Sequence, residues 1–123
     1  MNLVPFHTYL QSVFSDESIF LINMPPAITR GILILHNSGG AKLDANLPDY
    51  KVANIQLIVR DIDYQSGYAF AVSVLKAFTI FETTVAGIEI KYINPLHDPL
   101  LFPLSSSGLT EFSLNFKTAY VEH

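Results

Sequence analysis

Residues 50–81 read YKVANIQLIVRDIDYQSGYAFAVSVLKAFTIF. An apolar strand runs into an Arg60-Asp61-Ile62-Asp63-Tyr64 corner and then directly into an amphipathic helix. Over residues 52–60 the pattern has period two: Ile55, Leu57 and Val59 share one face, while Asn54, Gln56 and Arg60 share the other with Ile58. From Tyr64 the period changes. Tyr64, Tyr68, Ala71, Leu75 and Phe78 follow a 4-3-4-3 spacing and predict one face of a helix, on which the tyrosines either pack into the core or, with their hydrogen-bonding tips, serve a protein interface. Asp63 or Asp61 stands where it can cap that helix and complement its dipole.

Working outward from this unit, Leu3, Phe6, Leu10 and Val13 recur at spacings of three and four, the stripe of a first helix. Asn2 is placed to cap it, and Pro5 falls in the first turn, where a missing N–H costs little. Residues 19–22 form a short apolar run that stops at Pro25-Pro26, and residues 31–36 (GILILH) form a second. Both predict strands, the second covered on both sides or central in its sheet. Residues 37–50 are polar and rich in Gly, Asn, Asp and Pro, a loop. Downstream, residues 88–92 alternate cleanly, prolines and serines punctuate 95–107, and Phe112, Leu114, Phe116, Thr118 and Tyr120 return at period two. The order α-β-β-β-α-β-β predicts an α+β fold: one domain over residues 1–123, with two helices on one face of a mainly antiparallel sheet.

Composition narrows the function. Half of the 123 residues are hydrophobic, with nine Phe and six Tyr, and only 15% are charged, against about a quarter in soluble domains. So little charge on a small chain leaves an apolar excess either for subunit contacts or for a compact aromatic core. The formal net charge is −4 with seven Lys and Arg and no basic run, which argues against a grip on nucleic acid or an anionic membrane. The absence of cysteine excludes disulfides, thiolate zinc sites and thiol catalysis. The N-terminal residues lack the basic and apolar regions of a signal peptide, and no apolar run is long enough to span a bilayer, so a soluble protein made in the cytosol is expected.

Candidate chemistry is thin. His7, His36, His97 and His123 have no ligand spacing among themselves. His97-Asp98 pairs an imidazole with a carboxylate, but in a Pro-rich turn, where Asp serves the turn itself. Ser105-Ser106-Ser107-Gly108 lacks the context of a nucleophile elbow, and Gly39-Gly40 lacks a phosphate-binding pattern. Asp61 and Asp63 are too few for a calcium or magnesium loop; helix capping needs only one of them. No cofactor or metal site is expected. Arg60, beside those aspartates, suggests an ion pair at the corner.

The segments Leu47-Pro48-Asp49-Tyr50, Ile55-Gln56-Leu57-Ile58-Val59-Arg60-Asp61 with Asp63-Tyr64, the helix through Leu75 and Phe112-Ser113-Leu114-Asn115-Phe116 together resemble the tail terminator (tail completion) proteins of long-tailed bacteriophages. The resemblance covers most of residues 47–121; the first 46 carry no family motif. It implies a non-enzymatic virion protein, assembled in the host cytoplasm, that forms a ring, typically of six. Such a ring caps the tail-tube protein, stops tube growth and offers a joint to the head-closure or neck protein, with genomic DNA passing through the lumen and no membrane partner. Candidate interface residues are Arg60, Asp61, Asp63, Tyr64 and Tyr68 at the corner, Lys42 and Asp44 in loop 37–50, and His97 and Asp98 in segment 95–107, because loops project from a sheet and bridge neighbours. Two other readings stand beside it. One is a head-closure or neck connector or a tail-tube subunit, of similar size and element content; the other, more distant, is a small-ligand-binding regulatory domain.

Overall fold

Strand β4 (Lys51–Asp61) organises the sheet, pairing along its whole length with the antiparallel β8 (Thr110–Glu122), from Lys51 opposite Tyr120 to Asp61 opposite Thr110. The computed structural model describes residues 2–36, 42–43, 50–102 and 108–122, with backbone pairing alone for Lys42 and Leu43. On its other side β4 pairs with β2 (Gly31–His36) and with the two-residue β3 (Lys42–Leu43), both antiparallel. β1 (Ile19–Leu21) adds to β2 in parallel. Beyond β8 lie β6 (Ile88–Pro95), against its second half, and β7 (Leu100–Leu101), against its start; β5 (Ile80–Val85) pairs outside β6. The path β1-β2-β4-β8-β6-β5 is antiparallel except at its first step.

Helices α1 (Val4–Val13) and α2 (Tyr64–Phe78) cover one face, as expected from the element order. α2 lies over β4 and β8, whereas α1 touches both β1 and β5, near opposite ends of the path. That face carries the core: Ile32 and Ile34, Ile55, Leu57 and Val59, and Phe112, Leu114, Phe116 and Tyr120 are all buried. Phe6 of α1 meets Phe78 and Tyr120 edge-on at 6.1 and 6.2 Å, and Phe78 meets Phe116 at 5.0 Å. Each such pair adds about 0.5–1.5 kcal/mol to the burial itself. The first helix starts with the Val4 N–H donating to Asn2 Oδ1 at 3.0 Å; its stripe is buried through Leu10, but Val13 is exposed.

The face of α2 differs from the spacing-based reading. Gly67, Phe70, Ala71, Val74 and Phe78 are buried, while Tyr64 and Tyr68 are 58% and 38% exposed. The buried stripe is centred about one residue away and includes Gly67, which an apolar count overlooks. A Cβ at Gly67 would sit 3.1 Å from Phe112 Cε2 and 3.3 Å from Asp61 Cβ, so glycine lets the helix approach the sheet here. Asp63 is the N-cap, its carboxylate accepting from the Ser66 N–H at 2.8 Å, worth about 1 kcal/mol.

Three strands beyond the expected five are present: β3 and β7, two residues each, and β5. β5 follows α2 after a single residue and turns into β6 through Ala86 and Gly87, both at positive φ (46° and 87°). Two such residues between paired Val85 and Ile88 make a type I′ hairpin. Midway along β5, Glu82 (φ 47°) and the opposing Lys91 drop out of register and pair with each other as ions. This kink blunts an outer strand against pairing with another sheet. At the other edge the His7 Nε2–H donates to Ile19 O at 3.0 Å, and Asn23 N–H donates to Leu21 O at 2.7 Å. Two outward carbonyls of β1 are thereby used up inside the chain.

Candidate functional site

Strand alternation sends Arg60 and Asp61 to opposite faces of the sheet, so they do not pair with each other. Arg60 donates through Nε to Glu111 Oε2 at 3.0 Å, and through Nη1 to the carbonyls of Pro25 and Ile28 at 3.0 Å each. Asp61 finds Arg30 instead. Its Oδ2 accepts from Arg30 Nη1 at 2.5 Å and Ser66 Oγ at 2.7 Å, and its Oδ1 from the Ile62 N–H at 2.7 Å. Asp61 is 3% exposed and belongs to the frame of the corner, not to its surface. Arg30 also binds Glu17 through Nε at 2.8 Å and lays its guanidinium 3.9 Å from the centre of the Phe70 ring.

This frame presents the corner outward. Tyr64 and Tyr68, one turn apart, stack with ring planes 4° from parallel at 6.3 Å. Both lean on Phe112 of β8, at 5.7 and 5.9 Å. Leu101 of β7 is the register partner of Phe112 and, like Leu100, is more than half exposed; Ile62 is exposed at the tip of the corner. An aromatic and aliphatic patch thus surrounds Phe112, with Asp63 exposed at its edge. Tyrosine suits such a surface, with its apolar body and hydrogen-bonding tip.

His97 and Asp98 lie in the turn between β6 and β7. The Asn115 amide donates to His97 Nε2 at 2.9 Å, so the proton on the ring is at Nδ1, which donates to the backbone carbonyl of Asp98 at 2.6 Å. Asn115 also donates to Ser113 Oγ at 3.2 Å, which receives Gln56 Nε2 at 2.9 Å. This polar ladder crosses the sheet face opposite the helices and anchors the turn beside β8; the Asp98 carboxylate takes no part in it. Lys42 pairs through its backbone with Val52, eight residues from Arg60 along β4 and so about 26 Å away at strand rise. It does not join the corner. Asp44 lies outside the described residues, as do residues 37–41 and 44–49 of the first loop segment and 103–107 of the second.

On the other shoulder of α2, a cleft of about 520 Å³ opens between the end of α1 and the helix, lined by Val13, Phe14, Asp16, Arg30, Phe70 and Ser73 among others. Among the described residues no three metal-binding side chains come together, and no helix is long and apolar enough to cross a membrane. The partners that matter were hidden from sequence reasoning. Arg30 is 31 residues from Asp61, and Glu111 is 51 from Arg60; no local spacing signals such pairs.

A search of solved structures finds a chain of a native gene transfer agent particle virion, with a TM-score of 0.67 at 12% identity, covering 95% of this chain and 93% of that one. At that identity the likeness concerns the fold. No curated protein matches the sequence. The family described as bacteriophage tail terminator protein matches residues 9–122. Since that match spans nearly the whole chain, the protein belongs to the bacteriophage tail terminator family.

Proposed function

We propose that the protein ends tail-tube growth by assembling as a ring of six on the last ring of tube subunits, and that its far side receives the neck of the filled head. A structural part in a phage tail follows from family membership, which is the observation that carries the proposal. The exposed aromatic corner and low charge support it by supplying surface for subunit contacts. In this reading the ring acts sterically: one face matches the tube end, and the other does not accept further tube subunits. A head-to-tail contact that closes by rotation gives a ring and not a filament. The negative net charge suits a lumen through which DNA must slide without being held. The subunit would assemble in the host cytoplasm and remain in the virion.

Electron microscopy of particles from a phage lacking the gene tests this directly. Overlong tails, or tubes that never join filled heads, are expected. Normal tails joined to normal heads would refute it.

A further inference from the structure

The two shoulders of α2 carry surfaces of opposite shape. Tyr64 and Tyr68 project on the side of β8, held up by Phe112. Ser66, Phe70 and Ser73 line the cleft on the side of α1. Helical spacing places these two sets on different faces of the same stretch of helix. Moving from projection to cleft is therefore a step across α2 and not along it. A contact between two different surfaces of one chain is head-to-tail, and repeated by a rotation that closes it builds a ring.

The chemistry of the two surfaces also corresponds. The cleft floor is aromatic, with Phe14 and Phe70 in edge contact at 6.2 Å and the Arg30 guanidinium over the Phe70 ring. Its rim offers oxygen acceptors: the Ser15 and Ser73 hydroxyls and the carboxylates of Asp16 and Glu17. Asp16 has no partner among the described residues. A phenol brings what this cleft lacks, a flat apolar ring with a donor at its tip. The cleft is open to solvent, with a volume of about 520 Å³, so a side chain of another copy can reach it. Both sheet edges are blunted, by the Glu82–Lys91 kink and by the His7 and Asn23 bonds to β1, which directs association to side-chain surfaces.

We infer that the stacked Tyr64–Tyr68 pair of one copy seats in the α1–α2 cleft of the next copy, with Asp16 accepting from a phenol. This rests on the ring reading above and names the contact that builds the ring. Lying beside Arg30 and Asp61, the contact would bury the frame that holds the corner, so assembly and the local stability of α2 would rise together.

The chain has no cysteine, so single thiols report contacts cleanly. Gln65→Cys beside the projection and Ser73→Cys in the cleft leave both tyrosines and Asp16 in place. Mixed and treated with a short bis-maleimide on assembled rings, the two variants should cross-link to each other, and neither should cross-link to itself. Tyr64→Ala/Tyr68→Ala, which empties the projection, and Ala69→Trp, which fills the cleft from an exposed helix position, should each lower ring formation at least tenfold while circular dichroism stays that of the folded chain. Mixed together they should stop at dimers, each pair having one intact contact. Rings of wild type with no mixed cross-link, or rings formed equally by both variants, would overturn this contact and leave the ring standing. A wild-type chain that forms no ring, alone or on tube ends, would overturn the ring reading and this inference with it.

Discussion

Arg30 Nη1 lies 2.5 Å from Asp61 Oδ2, joining the start of β2 to the end of β4 under the first turn of α2. The same carboxylate holds Ser66 of the helix and the Ile62 amide of the corner. One buried acid therefore ties two strands, the corner and α2 together. Asp61→Ala strands three donors, one of them charged. With Arg30 itself 41% exposed, the full penalty of a buried broken pair is not reached, and a loss of about 2–3 kcal/mol is expected. Urea unfolding measures it; a loss below about 1 kcal/mol would mean that the corner does not depend on Asp61.

The β5–β6 turn carries a removable strain. Ala86 sits at φ 46° in a two-residue type I′ turn, ahead of Gly87. An L-residue with a plain Cβ costs about 1–2 kcal/mol in that region, and Asn-Gly is the favoured pair for this turn. Ala86→Asn should raise thermal stability by several degrees, and a lowered melting temperature would contradict the turn assignment.

The Tyr120 hydroxyl is buried with no hydrogen-bond partner among the described residues. Burial foremost, and then the nearby Glu122 charge, push its pKa from 10.0 up to about 12. The unfolded chain loses this proton near pH 10 while the folded chain keeps it. Stability from this group is therefore complete below pH 10 and declines as pH rises toward 12. Tyr120→Phe should be as stable as wild type or more so at neutral pH, and its alkaline unfolding should be shallower between pH 10 and 12. Superimposable alkaline curves would show that the hydroxyl is not desolvated.

The polar ladder Gln56–Ser113–Asn115–His97 makes a prediction about the turn before β7. Asn115→Ala removes the donor to His97 while leaving the backbone bond from Leu96 N–H to residue 115 in place. A cost of about 1 kcal/mol is expected, with faster hydrogen exchange at the amides of Leu96 and Phe102. Unchanged exchange would show that backbone pairing alone holds this segment.

Period and turn chemistry made much of the architecture legible. The alternation over residues 52–60, the corner, the switch to helical spacing and the long period-two strand from Phe112 correspond to β4, α2 and β8. Strand β5 leaves no clear signature in the sequence, because it follows a helix after one residue and is interrupted at Glu82, so neither its start nor its alternation is clean. Tyr64 and Tyr68 fall on the apolar stripe that spacing predicts, where core and interface look alike in sequence. The helix packs down through Gly67, Phe70, Ala71, Val74 and Phe78, which leaves both tyrosines on its exposed shoulder.

What the sequence determined by itself is local: which segments bury a face, and that a helix starts at the Asp61–Asp63 corner. These depend on spacing along the chain. The tertiary structure alone decided which charge meets which. Arg60 and Asp61 are neighbours in sequence, yet the alternation of a strand sends one to Glu111 and the other to Arg30. It also decided that two tyrosines and a cleft occupy opposite shoulders of one helix, because the direction of a helix face is set by what packs beneath it and not by the stripe alone.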